Sequence, residues 1–204
     1  PDLSQDVTVQ GPITGTGVMG VSGDVEVAVR VQDKTGARSI LRRATIPVAD
    51  VPPALAPITY FGVAAERQQI TFSASFEDPG LDAPWRVEWD FDYDGSEFTP
   101  NAYAFADAPG GFSAIHSFSN DGTYTVAARV TDKDGVVGPL QTVQLVIADL
   151  APLLSGVAGT NFLAEGSSYE LFSTFADPGV HSLPWRIQWD FDYDGTTFDV
   201  DEEE

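Results

Sequence analysis

Three aspartates at every second position, Asp90, Asp92 and Asp94, followed by Gly95, have the residue types and spacing that could do chemistry in this chain. The pattern returns as Asp190, Asp192, Asp194 and Gly195. Carboxylates at the first, third and fifth positions, before a glycine that permits a sharp turn, open a calcium loop of the EF-hand kind. Asp78 and Asp177, each starting an Asp-Pro-Gly turn, and Asp82 are the nearest additional acids in sequence. An EF-hand also needs a bidentate acid at the twelfth position and a helix after it. That count reaches Asn101 in one copy and Asp201 in the other, with strand-like flanks, so a true EF-hand is not expected. Carboxylates two apart on a strand lie about 7 Å from each other and repel unless screened or bridged. Calcium bridges them more readily than magnesium, which demands stricter octahedral geometry. The expected ligands are Asp78, Asp90, Asp92 and Asp94 in the first copy and Asp177, Asp190, Asp192 and Asp194 in the second. The plainer alternative is that Asp90 and Asp94 accept hydrogen bonds from amides of their own turn while Asp92 is solvated.

The elements that must position these acids are strands. In WRVEWDFDYDG (85–95) the residues Trp85, Val87, Trp89, Phe91 and Tyr93 are apolar, and Arg86, Glu88, Asp90, Asp92 and Asp94 between them are charged. That is the period of a half-buried strand, with the tryptophans in the core and the charges outside. The motif recurs as WRIQWDFDYDG at 185–195, where Arg186 precedes Gln188 on the outer face. Further strands are expected at 70–76, 113–118, 122–132 and 140–148, divided by the turn residues Asp78-Pro79-Gly80, Asp94-Gly95, Asn120-Asp121-Gly122 and Asp134-Gly135. No convincing amphipathic helix is present. Roughly seven short strands in about a hundred residues favour an antiparallel, immunoglobulin-like sandwich.

The repeat runs out of phase with the chain. Val31 pairs with Val130, Ala49-Asp50 with Ala148-Asp149, and Asp78-Pro79-Gly80 with Asp177-Pro178-Gly179, all at a spacing of 99; one inserted residue before Trp185 makes it 100. Residues 51–149 hold the unit once, residues 1–50 match its second half, and residues 150–204 match its first half. The expected architecture is all-β: tandem sandwiches, one complete and flanked by two half units. The chain opens at Pro1 and stops in Asp201–Glu204, and reads as a mature or excised segment of something longer.

Composition narrows the function classes. Asp and Glu number 31 against 10 Lys and Arg, a net charge of −21, which repels nucleic acid and anionic lipid. With no cysteine there are no disulfides, thiol nucleophiles or zinc–thiolate sites. No run approaches the roughly 18 apolar residues of a membrane span. No nucleophile elbow, phosphate loop or His-Glu-x-x-His motif occurs, and catalysis is not expected.

Trp89-Asp90-Phe91, His116-Ser117-Phe118, and Gly122-Thr123-Tyr124-Thr125-Val126 running to Val130, Asp132 and Gly135 resemble the PKD family. Gly23, Val25, Val27, Val31, Asp33 and Gly36 match its last motif, and Trp189 to Gly195 its first. The usual glycine after the aromatic is replaced here by Asp92-Tyr93, which creates the D-x-D-x-D-G run. The resemblance implies an immunoglobulin-like module of an extracellular or cell-surface protein, non-catalytic, serving as a fibre, stalk or adhesin. Some members bind calcium at the edge of the sandwich, and calcium here would stiffen the array. The other reading is an accessory glycan- or substrate-binding module of a secreted hydrolase, which needs outer-face aromatics. His116, on the family's His position, is expected half-buried on a turn carbonyl; His181 has no partner position. The expected partners are neighbouring repeats or copies of the chain itself, joined head to tail where the half units complete one another.

Overall fold

A computed structural model of the 204-residue chain describes residues 14–80, 82–159, 162–179 and 185–203. Pro1, His181 and Glu204 lie outside the described residues. The first element is an antiparallel hairpin of β1 (Gly23–Val29) and β2 (Arg42–Val48), with Val25 opposite Ile46 and Val27 opposite Ala44.

Two sheets then build the central unit. The first is organised by β5 (Ile70–Glu77), whose Ile70, Phe72, Ala74 and Phe76 point into the core at the period of two. It pairs with β3 (Ala54–Leu55) and β4 (Thr59–Phe61) along one edge and β8 (Gly110–His116) along the other. The second sheet has the order β10–β9–β6–β7, from β6 (Trp85–Asp90), β7 (Ala102–Ala106), β9 (Gly122–Thr131) and β10 (Gln141–Ile147). Val126, Ala128 and Val130 of β9 pack with Trp85, Val87 and Trp89 of β6 and with Phe72 and Phe76 in one buried cluster between the sheets. Among the described residues the ladders are antiparallel, and a parallel bridge from Ala65 to Ala148 ties the segment after β4 to the end of β10. The described residues contain no helix, and so none long and apolar enough to cross a membrane.

Three sequence expectations change here. The strand expected from the alternation of Trp85 to Tyr93 ends at Asp90, because the Phe91 amide leaves the ladder and donates to Asn101 Oδ1 at 2.9 Å. β7 was not foreseen: five residues after Pro100 with two outward aromatics make a weak core signal. The outer face of β6 is not uniformly solvated either. Glu88 is buried between Arg86 Nη2 at 3.0 Å and Arg129 Nε at 2.8 Å, and those guanidiniums lie under Tyr103 and Phe98. Pairing offsets the cost of removing its charge from water.

The C-terminal segment repeats the first-half pairings as short bridges. β11 (Leu153–Leu154) joins β14 (Phe175–Ala176), β12 (Ala158–Gly159) joins β13 (Leu171–Phe172), and β15 (Gln188–Trp189) joins β16 (Glu202–Glu203). The partners Leu154↔Phe175 and Trp189↔Glu202 fall where Leu55↔Phe76 and Trp89↔Ala102 fall in the central unit. Likewise Val25↔Ile46 falls where Tyr124↔Leu145 falls.

Candidate functional site

The acidic turn is built on the end of β6. Asp90 is buried; its Oδ1 accepts the Asp92 amide at 3.1 Å and its Oδ2 the Thr99 amide at 2.8 Å. Asp94 is exposed and folds its Oδ1 onto Ser96 Oγ at 2.7 Å, the Ser96 amide at 2.8 Å and the Glu97 amide at 3.2 Å. The Ser96 hydroxyl, then the Ser96 and Glu97 amides, hold the Asp94 carboxyl below the ordinary aspartate range. Asp92 is solvent-exposed. Gly95, with φ of 89°, makes the turn that a side chain would strain.

Asp78 lies elsewhere. Its Oδ1 accepts the Gly80 amide at 2.8 Å and its Oδ2 the Trp85 indole Nε1 at 2.9 Å, at the start of β6. The rise of a strand puts the two ends of β6 roughly 16 Å apart, so Asp78 and Asp90 cannot share one cation. The first four-residue ligand set is corrected accordingly. Asp177 accepts the Gly179 amide at 2.8 Å in the same kind of turn. Asp82 is buried and paired with Lys133 Nζ at 2.6 Å.

In the second copy the arrangement differs by one residue. Asp190 accepts the Asp192 amide at 3.1 Å and the Asp199 amide at 2.9 Å, while Asp201 Oδ2 accepts the Phe191 amide at 2.7 Å, the task Asn101 performs in the first copy. Asp190, Asp192 and Asp201 each bring a carboxylate oxygen within 4.8 Å of the others, a spacing that a divalent cation can bridge. Asp194 instead faces its own turn, on the Thr197 and Thr196 amides and the Thr196 hydroxyl, which keep its carboxyl below the usual range. Asp201 is the residue the sequence reading left out of the ligand set, although the twelve-position count had reached it.

Among the described residues no turn carbonyl accepts from His116, contrary to the expectation. His116 stacks on Phe91 with centroids 4.2 Å apart and planes 4° from parallel, and burial lowers its pKa below 6.5.

The larger feature lies at the two flanks. Val126, Ala128, Val130, Leu145 and Ile147 are buried in the central unit, whereas Val27, Val29, Val31 and Ile46, at the same places in the hairpin β1–β2, are exposed. In the C-terminal segment Leu154, Leu171, Phe175, Trp185, Ile187 and Trp189 line an open cleft of about 540 Å³. Their counterparts Leu55, Phe72, Phe76, Trp85, Val87 and Trp89 are the closed core of the central unit, where β9 fills the space. One flank presents a hairpin without a sandwich, and the other a cleft without a hairpin.

Two antiparallel sheets facing each other across an aromatic core, with β10–β9–β6–β7 as one layer, define an immunoglobulin-like sandwich. The family model for the PKD domain matches residues 50–147, and the central unit of this chain belongs to that family. Among solved structures, the PKD domain of an M14-like peptidase from Thermoplasmatales archaeon SCGC AB-540-F20 is similar at 17% identity, covering 48% of this chain and 98% of that chain, with a TM-score of 0.38. No curated protein matches the chain.

Proposed function

We propose that this chain is a non-catalytic structural repeat of an extracellular or cell-surface fibre, stalk or adhesin, in which each half unit is completed by the complementary half of a neighbouring repeat or of another copy. PKD domains are typically extracellular structural or binding modules. One observation carries the reading: hairpin and cleft keep the pairing register of a complete unit while exposing the faces that the complete unit buries. Covering Val27, Val29, Val31, Ile46 and the cleft aromatics would contribute on the order of 10 kcal/mol before the entropy of association is subtracted. A hairpin at one end and a cleft at the other make a heterologous contact, which extends into a line. Negative-stain electron microscopy of the concentrated protein should show linear particles; dispersed single particles at every concentration would defeat the proposal. The intact mass of the denatured parent polypeptide separates completion by a covalent neighbour from completion by another chain.

Calcium belongs to this reading as a stiffener near the cleft, supported by the convergence of Asp190, Asp192 and Asp201. The alternative, a glycan-binding accessory module, draws support from Tyr103 and Phe105. These rings stand exposed on β7, 6.0 Å apart, with Arg86 beside Tyr103. Polysaccharide retention in affinity electrophoresis that disappears on Tyr103→Ala would favour it.

A further inference from the structure

The central unit holds the linker on each side of it. On the entering side Pro53 is fully buried, and Gly138 packs so closely on it that a Cβ there would lie 2.1 Å from the Pro53 carbonyl oxygen. On the leaving side the buried Glu66 accepts the Leu150 amide at 3.2 Å, and Ala148 donates its amide to Ala64 O at 2.9 Å. At the spacing of 99, Pro53 corresponds to Pro152 and Leu150 to Val51. A linker between two complete units is therefore held at Leu150 by the unit behind and at Pro152 by the unit ahead, with Ala151 alone between them. Two residues of chain reach at most about 7 Å, so neighbouring sandwiches must touch.

The contact falls on the same element at both joints. At the first, Pro79 and Gly80 of the Asp-Pro-Gly turn between β5 and β6 share a cavity of about 140 Å³ with Met19, Ser22, Ala49 and Val51, where the chain enters β1 and leaves β2. Ser22 Oγ also donates to Asp134 Oδ2 at 3.4 Å. At the second joint the Arg67 amide donates to the Phe118 carbonyl at 2.7 Å, and Arg67 Nε donates to the Pro178 carbonyl of the next Asp-Pro-Gly turn. Phe118 and Ala148 correspond to Met19 and Ala49, and Pro178 to Pro79. Asp78 and Asp177 hold the two turns in one shape, each accepting the amide two residues on at 2.8 Å.

We propose that the end of each unit where the chain enters β9 and leaves β10 is the docking surface for the Asp-Pro-Gly turn of the following unit. Consecutive units then meet at one fixed angle instead of swinging on a linker. The partner is the neighbouring unit of the same polypeptide, and the joint forms whichever way the half units are completed. Repeated at every joint, a fixed angle makes a stiff rod with a constant rise per unit. A flexible tether is built from Gly- and Ser-rich chain. Here Pro52, Pro53 and Pro152 restrict what rotation is left.

The chain has no cysteine, so pairs of spin labels can be placed on exposed positions without background. Pulsed dipolar spectroscopy of the 204-residue chain reads Asp24→Cys with Asp107→Cys across the first joint, and Asp107→Cys with Glu170→Cys across the second. A pair inside the hairpin, Asp24→Cys with Lys34→Cys, confirms that the labelled element is folded. Each joint should give one narrow distance distribution. Inserting Gly-Ser-Gly-Ser between Val51 and Pro52, or between Ala151 and Pro152, should broaden it at least about twofold at that joint only. Arg67→Glu sets a carboxylate against the Pro178 carbonyl; it should broaden the second joint and leave the first unchanged. The melting transition of the central unit is the folding control for every variant. A native joint as broad as its insertion variant would overturn the docking, and would leave the fibre reading to microscopy. A second joint that Arg67→Glu leaves unchanged would overturn the Asp-Pro-Gly turn as the docked element.

Discussion

Replacing Glu66 by alanine should unfold the central unit more readily than any surface change in it. Glu66 is 0% exposed and accepts two backbone amides, from Asp121 and Leu150. Truncation strands both donors where water does not reach them, at about 1–3 kcal/mol each. Part of that is recovered because burying the carboxylate was itself costly, leaving a net loss of about 3 kcal/mol. For a domain near a hundred residues such a loss lowers the melting temperature by roughly 12–24 °C. Glutamine is the informative companion. It keeps the shape and one acceptor but turns an amide donor toward the second N–H, so Glu66→Gln should lose most of the same stability. Thermal unfolding followed by near-ultraviolet circular dichroism reads both variants through the buried tryptophans. A drop below about 1 kcal/mol for Glu66→Ala, or a glutamine variant as stable as wild type, would refute the argument that the carboxylate's two acceptors hold the hairpin.

Other expectations follow from single contacts. His116 is held neutral by burial against Phe91, so the unfolded state takes up the proton first; its contribution is full above about pH 6.5 and is lost as the pH falls toward and through the lower folded value. His116→Phe should flatten the melting temperature between about pH 5 and 7 relative to wild type, and parallel curves would count against this. Gly62→Ala should cost about 1–3 kcal/mol in urea unfolding at unchanged slope, because φ is 138° and a Cβ would sit 2.7 Å from the Gln69 carbonyl oxygen. If calcium occupies the Asp190, Asp192 and Asp201 cluster, chelator should lower the melting temperature of the assembled chain, and Asp192→Asn should remove that sensitivity. Equal chelator sensitivity in both proteins would sink the assignment.

What was legible in the sequence was the side-chain period. Trp85, Val87 and Trp89, and Val126, Ala128 and Val130, announce buried faces by alternation alone, and the turn residues mark where those strands stop. What escaped was anything decided by a partner far along the chain. Glu88 reads as an outer-face charge because its neighbours alternate with it; only the distant Arg129 makes its burial affordable. Glu66 carries no local signal, since its two amide partners lie 55 and 84 residues away. The acidic motif was half legible. Even spacing suggested that Asp90, Asp92 and Asp94 converge, but the first and last of them are each absorbed by amides of their own turns. The convergence found in the second copy recruits Asp201 across the loop instead.

The parallel bridge between Ala65 and Ala148 also says how the domain would bear tension. Force applied through the two linkers enters near Val51 and leaves near Leu150, and residues 64–66 lie side by side with 148–150 near the exit. The bonds from Ala148 to Ala64, from Glu66 to Ala148 and from Leu150 to Glu66 therefore share the load and must yield together. A strand peeled from an open edge gives way one bond at a time. This pair is loaded in shear, so in the central unit these bonds, together with those of β3 and β4 to β5, resist extension as a group.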